Sequence, residues 1–489
     1  MNNSHVKELF SNTIIYGIGI MLNKSVNFIL LPVYTKYFSP EQIGLLTLIQ
    51  SISFFLGIIY TFGLETAFMK YFIDAKDVKS KSEIYSSILI FLTLSSLVLS
   101  LLVYVSSGSI ASLFKFENVD ESKFLLHILC IVMFVDTLYR FPLLLFRAEL
   151  KTKTFAYVNL LTFFVNIIGN IILIVFLKKG IEAVFLCYII STLLTFTLGL
   201  IITRKYLLLK ISFEKIKQLL LFGNKFIYIG LFLILIDVSD RFFLKYYFDE
   251  SIVGIYSANY RLASVMSFII AAFKFSWTPY FMNLSSHPDN KKIISTIFTY
   301  FVFAGLFLFL IFSVFMNHLV KISFFGFNLL DINYWHGLSI IPIVLLAYFF
   351  SGLYSLLNAA PFFTSNTGSL LAFALSGFIV NILFNFLLIP VLDMIGAALA
   401  TLITYVSMSV IIYIYSQKIY KIKYDWNIIL KLVAASGVTF VIAYFFTNKL
   451  QLNENIIVIV NLFLICLYLF TINFLKILEL KKVSMLWKK

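Results

Sequence analysis

Apolar residues run along this chain in long blocks, separated by short polar stretches that hold most of its Lys and Arg. Many of the blocks approach or exceed the roughly 18–20 residues needed to cross hydrocarbon as a helix. Read in order they predict fourteen spans: 11–33, 43–64, 84–106, 124–146, 155–177, 180–203, 222–247, 252–274, 293–315, 338–360, 369–391, 395–416, 430–447 and 455–475. None shows the strict alternation over about ten residues that a transmembrane barrel strand requires. The expected fold class is therefore all-α, a polytopic membrane protein. Two segments, 107–123 and 315–336, are candidates for lying in the interface; the second is rich in Phe and Asn and carries Tyr334 and Trp335.

The pattern also repeats. At a shift of 210, Tyr37-Phe38 falls on Tyr247-Phe248, Gly44 on Gly254, and Met69-Lys70-Tyr71 on Pro279-Tyr280-Phe281. At a shift of 215, the stretch from Phe164 to Asn170 falls on Ile379 to Asn385, and Gly180 and Gly396 then open the next span of each half. The expected organisation is a six-helix lobe over residues 1–210, a second over 211–423, and an extra helix pair with a tail over 424–489. Six is even, so the two lobes run parallel. Parallel repeats share an axis along the membrane normal and place the substrate site between lobes, near the midplane.

Charge placement gives the orientation. With the N-terminus cytoplasmic, cytoplasmic loops, tails and span ends carry 27 Lys and Arg and the opposite side nine, with Lys24 and Arg261 left at membrane depth. This positive-inside bias puts both termini in the cytoplasm. The net charge of +15 is thus spread over loops rather than gathered for nucleic acid. With 61% hydrophobic and 12% charged residues, a soluble domain could not cover its surface. The N-terminal run is interrupted by Asn23, Lys24 and Asn27 and lacks a small-residue cleavage site, so it reads as a first span rather than a signal. The three cysteines lie inside separate spans and the five histidines are scattered, which offers neither a disulfide framework nor a metal site. No P-loop, nucleophile elbow or HExxH is present, so no catalytic residue is expected.

Candidate chemistry lies where charge meets the bilayer. A cation at mid-span costs several kcal/mol unless it faces a partner or a wet cavity. Lys24 sits there, with Asn27 on the same helical face, and so does Arg261, with Ser257 and Ser264. The chain holds 33 Lys and only five Arg, yet Arg140, Arg241 and Arg261 all fall within or at the ends of spans. A guanidinium stays charged and grips phosphate bidentately. Asp237 and Arg241, and Asp136 and Arg140, are spaced i, i+4 with the acid first, the order that favours an intrahelical pair. Either set, with Glu65 at the inner end of the second span, reads first as structure and second as a cavity or a proton- or sodium-coupling group. Asn166 with Asn170 and Asn381 with Asn385 read as interhelical packing polars.

These features resemble a known family. The opening LPVYTKYFSPEQIGLLTL (Leu31–Leu48), GLETAFMKYF (Gly63–Phe72) and FNFLLIPVLDMIGAALAT (Phe384–Thr401) are similar to stretches of the polysaccharide and O-antigen repeat-unit flippases. These belong to the multidrug/oligosaccharidyl-lipid/polysaccharide exporter superfamily. The resemblance implies a bacterial inner-membrane flippase, not an enzyme, moving an undecaprenyl-diphosphate-linked oligosaccharide outward for surface polysaccharide assembly. It further implies alternating access between two lobes around a central cavity, with Lys24 and Arg261 on the diphosphate. Membrane lipid and the polysaccharide polymerase or export machinery would be its partners. It needs no cofactor beyond a coupling H+ or Na+. The alternatives are a lipid II flippase, a cation-coupled drug exporter of the same superfamily and, from another class, a membrane polysaccharide polymerase or ligase.

Overall fold

The computed structural model describes residues 17, 19, 21–23, 25–208, 210–284, 288–324, 326–363, 368–448 and 453–474. The first expected span ends in a short helix, α1 (Leu31–Tyr37). The N-terminal lobe continues with α2 (Pro40–Thr61), α3 (Leu64–Asp74), α4 (Val78–Leu113), α5 (Val119–Ala148), α6 (Thr152–Asn170, extended by a π-helical turn, Ile171–Phe176) and α7 (Glu182–Thr203). The second lobe holds α8 (Phe213–Tyr247), α9 (Glu250–Ala263), α10 (Val265–Leu284), α11 (Asn290–Leu319), α12 (Ile341–Leu357), α13 (Ala359–Phe363) and α14 (Ser369–Ile419). Two further helices, α15 (Trp426–Asn448) and α16 (Glu454–Phe474), pack against α11.

Among the described residues, eleven helices are long and apolar enough to cross a bilayer. Helix α8, bent by 45° near Asn224, makes twelve. Helix α14 contributes a thirteenth, because Asp393 (φ 53°, ψ −131°) breaks it into two of the expected spans. The chain is a predominantly helical, polytopic membrane protein.

Local chemistry sets the breaks. Ser39 caps α2 with a complete capping box: its hydroxyl accepts from Gln42 N while Gln42 Oε1 accepts from Ser39 N at 3.1 Å. Asp249, 210 positions later, caps α9 by accepting from Ile252 N at 2.8 Å. Between α2 and α3 the chain turns through two left-handed residues, Phe62 (φ 49°) and Gly63 (φ 66°). Gly63 also abuts the Gly223 carbonyl of α8, where a side chain has no room.

Two expectations are corrected, and a third segment gains detail. The eighth span, expected unbroken over 252–274, is divided at Ser264, whose hydroxyl donates to the Arg261 carbonyl at 2.6 Å in competition with the helix ladder. The segment 107–123 does not lie flat, because α4 runs on to Leu113 and α5 begins at Val119, capped by Asn118. The segment 315–336 is more structured than the composition suggested. It forms a two-stranded ribbon (Ser323–Phe324 with Phe327–Asn328) and a 3₁₀ turn, Ile332–Ile340, that pins Tyr334 inside the protein. The Tyr334 hydroxyl donates to the Phe38 carbonyl at 2.7 Å, and its carbonyl accepts from Asn259 Nδ2 at 2.8 Å.

Candidate functional site

The repeat-related asparagines tie helices together from within. In the first lobe Asn166 Nδ2 donates to Ser191 Oγ of α7 at 3.2 Å, and Asn170 Oδ1 accepts from the Tyr34 hydroxyl at 3.0 Å. In the second, Asn381 Nδ2 donates to Thr404 Oγ1 at 3.3 Å, and Asn381 Oδ1 accepts from Ser239 Oγ of α8 at 2.6 Å. These amides hold the walls of each lobe.

Within those walls a cavity of about 410 Å³ opens among the first span, α2, α3, α5, α6, α7 and the bend of α8. Its lining is amphipathic, with amides such as Asn23, Asn27 and Gln50, hydroxyls such as Ser53 and Thr192, and the rings of Phe54, Tyr139 and Tyr188. Asn23 Nδ2 donates to Oδ1 of the buried Asn159 on α6 at 2.7 Å. The volume and mixed lining are those of a small-ligand site.

Of the residues singled out from sequence, Asn27, Glu65, Asp136 and Arg140 line this cavity. Arg140 donates from Nε and Nη2 to Asp136 Oδ2 (2.9 and 2.7 Å) and from Nη1 to Glu65 Oε1 at 2.9 Å. Asp136 Oδ1 also accepts from the Tyr188 hydroxyl of α7. The i, i+4 pair is present as the spacing implied, but it is half of a cluster joining α3, α5 and α7.

Asp237 and Arg241 lie outside the described lining of that cavity, on α8. Arg241 ion-pairs with Asp240 Oδ1 at 2.7 Å and reaches only the backbone carbonyl of Asp237. The Asp237 carboxylate instead accepts from the Tyr405 hydroxyl at 2.7 Å, and Asp240 Oδ2 from Tyr256 at 2.5 Å. The ring of Tyr260 stands 4.7 Å from the guanidinium. Lys24 lies outside the described residues.

Arg261 crosses from the second lobe to the first. Its Nη2 donates to Gln50 Oε1 at 3.0 Å and Thr47 Oγ1 at 3.3 Å, both on α2. Among the described residues its buried Nη1 has no partner, and neither does Ser257 Oγ on the same face. Gln50 lines the cavity, so Arg261 stands behind one of its walls with an unspent donor. Sequence spacing placed Arg261 near mid-span but gave no sign that its partners sit 211 and 214 residues away.

At the α8–α9 corner, hydrogen bonds tie the second half of the chain to the first. Glu117, in the α4–α5 turn, receives Lys245 Nζ and the Glu250 backbone N–H on Oε1, each at 3.0 Å, while Glu250 Oε1 accepts from Glu117 N at 3.0 Å.

The solved structures it matches share this architecture. One, a lipid II flippase MurJ in an inward closed conformation, superposes with a TM-score of 0.73 at 17% identity, covering 95% of this chain and all of that one. An inward-facing multidrug resistance MATE family transporter of the MOP superfamily gives 0.65 at 12% identity, over 82% of this chain and 97% of that one. An outward-facing transporter of that family gives 0.60 at 14%, over 84% and 95%. At these identities the likeness is one of fold: two helical lobes around a central cavity. No curated protein matches the sequence. A family model described as polysaccharide biosynthesis protein matches residues 9–285, more than half of the chain, and to that family of membrane proteins the chain belongs.

Proposed function

We propose that the protein is a flippase that carries undecaprenyl-diphosphate-linked oligosaccharide repeat units across the bacterial inner membrane for surface polysaccharide assembly. The observation that carries this reading is Arg261, a cation at the lobe interface whose Nη1 is buried without a partner beside a polar cavity. An unsatisfied buried donor is costly, and a phosphate oxygen would satisfy it with a charge-assisted bond. Lys24 would join it from the first span, next to the cavity residues Asn23 and Asn27. The isoprenoid tail stays in the bilayer while the sugars travel through the polar interior. The family match supports the polysaccharide setting.

In this reading residues 1–210 and 211–423 are the two lobes that rock in alternating access, with 424–489 as an added helix pair and tail. Both termini are cytoplasmic, as the charge bias indicates. Asp237 or Asp136 would carry a coupling H+ or Na+. The fold likeness to a lipid II flippase keeps that substrate, which shares the same lipid diphosphate, as a second reading.

Right-side-out vesicles from cells with and without the protein test the proposal. The measurement is the fraction of lipid-linked oligosaccharide open to a membrane-impermeant glycosidase. The exposed fraction should fall on depletion. An unchanged fraction together with lost efflux of a cationic dye would replace this reading with a drug exporter.

A further inference from the structure

The cavity charges are arranged unusually for either a structural ion pair or a phosphate site. A guanidinium has five N–H donors, and Arg140 spends three, two on Asp136 and one on Glu65. Asp136 is buried, as a helix-joining carboxylate should be, but the Arg140 and Glu65 side chains remain 37% and 38% accessible within the cavity. Among the described residues, no donor reaches the second oxygen of Glu65. With respect to the described residues, the cluster therefore presents two free donors and one free acceptor side by side, on one guanidinium held by two carboxylates. That is the complement of adjacent sugar hydroxyls, each of which both donates and accepts. The rings of Tyr139, Tyr188 and Phe54 supply apolar faces in the same cavity.

We propose that the Glu65–Arg140–Asp136 cluster is a saccharide-recognition site, selecting sugars that carry hydroxyl or acetamido groups over uronates. This rests on the flippase reading and adds the class of glycan to it. Among the described lining residues the only charges are these three, two negative and one positive. A uronate or phosphate bound there would bring a third anion to a guanidinium already shared by two, and like charges held close disfavour ionisation. Arg261 differs in having, among the described residues, an unspent donor and no carboxylate in contact. The head group is thus read in two places, the diphosphate at Arg261 and the sugars at Arg140, with Gln50 between them.

The test is equilibrium binding to the full chain in nanodiscs by calorimetry, with three probes. These are farnesyl diphosphate, the same lipid bearing an N-acetylglucosaminyl-galactose, and the same with glucuronate in place of galactose. Wild type should bind the neutral glycolipid about tenfold more tightly than either of the others, the scale of one or two hydrogen bonds. Glu65→Gln should weaken the neutral probe, leave farnesyl diphosphate unchanged and improve the glucuronate probe, because one of the two anions facing Arg140 is gone. Arg261→Gln should weaken all three alike. A wild-type preference for glucuronate overturns the proposal without any variant, and so does an equal loss on every probe in Glu65→Gln. Binding of farnesyl diphosphate with no gain from either sugar removes the saccharide site and leaves the flippase reading standing. Binding of no probe overturns both.

Discussion

Gly44 and Gly254 occupy equivalent positions in the two halves of the chain and meet each other across the lobe interface. A Cβ on Gly254 would lie 2.9 Å from the Gly44 amide nitrogen. The contact is reciprocal: a side chain on Gly44 would strike the carbonyl of Glu250, and one on Gly254 that of Pro40, residues themselves 210 apart. Thr35 and Lys245, also 210 apart, extend the symmetry. Thr35 Oγ1 accepts from Asp331 N of the second lobe at 3.3 Å, while Lys245 donates to Glu117 of the first. One strap is neutral and the other is ionic.

Gly44→Ala and Gly254→Ala should each destabilise the protein by about 1–3 kcal/mol, the usual cost of overpacking, because backbone faces backbone and neither side can yield. Gly57→Ala is the control. Its added methyl meets only Met133 Cε at 3.9 Å, so the helix gains up to about 1 kcal/mol from the better helix former. Thermal unfolding of the three purified variants against wild type checks both signs.

The ionic strap should respond to pH in two stages. Burial raises the Glu250 carboxyl above its ordinary range. Its contribution is therefore lost as pH rises through that raised value and regained on acidification. The backbone N–H of Glu250, and after it Lys245, hold Glu117 below the ordinary range. Its contribution is present above about pH 4.3 and lost as pH falls through the lowered value. Stability should thus rise slightly and then fall between pH 7 and pH 3. Glu117→Gln should abolish the fall and keep the rise. A melting temperature measured across that range, at low salt because Glu117 is half exposed, decides it.

The two carboxylates on Arg140 should differ in stability cost. Asp136 is buried and takes two guanidinium bonds and a phenol, so Asp136→Ala should cost about 3–5 kcal/mol. Glu65 is accessible and takes one, so Glu65→Gln should cost no more than about 1 kcal/mol. Denaturant unfolding of the two variants would show whether the ranking holds.

Asn385 is fully buried, with Nδ2 donating to Ser239 Oγ and Asn381 Oδ1. Asn385→Leu should cost about 1–2 kcal/mol and leave probe binding unchanged, since this amide lies in the packing of α8 against α14. Thermal unfolding together with the binding titration separates the two effects.

Much of the fold was legible because the bilayer demands long apolar runs, and such runs survive without any tertiary information. The shift of 210 that relates Gly44 to Gly254 could be read directly, and with it the parallel lobes. The i, i+4 spacing exposed Asp136 and Arg140 as a pair. Glu65, 75 residues from Arg140, could be suspected only as an isolated charge, because the α2–α3 corner that brings it in depends on the left-handed Phe62 and Gly63. Gln50 as the partner of Arg261 left no local signal at all, since it lies on the opposite lobe. The gap near Asp393 could be read as the boundary between two spans, whereas the interruption at Ser264 was hidden because a single hydroxyl at mid-span does not end a hydropathy window. The burial of Tyr334 could not be foreseen, because aromatic residues suit an interface and a buried plug equally well.

The most direct test of the account is the initial flipping rate of a fluorescent undecaprenyl-diphosphate oligosaccharide in proteoliposomes holding wild type, Arg261→Lys or Arg261→Gln at equal, folded density. The account predicts that wild type flips the lipid, that Gln at 261 abolishes flipping, and that Lys, which keeps the charge but loses the bidentate fork, falls in between. Wild-type rates in both variants would show that Arg261 is structural and that the diphosphate is held elsewhere. Failure of wild type to move the lipid at all would contradict the proposed function itself.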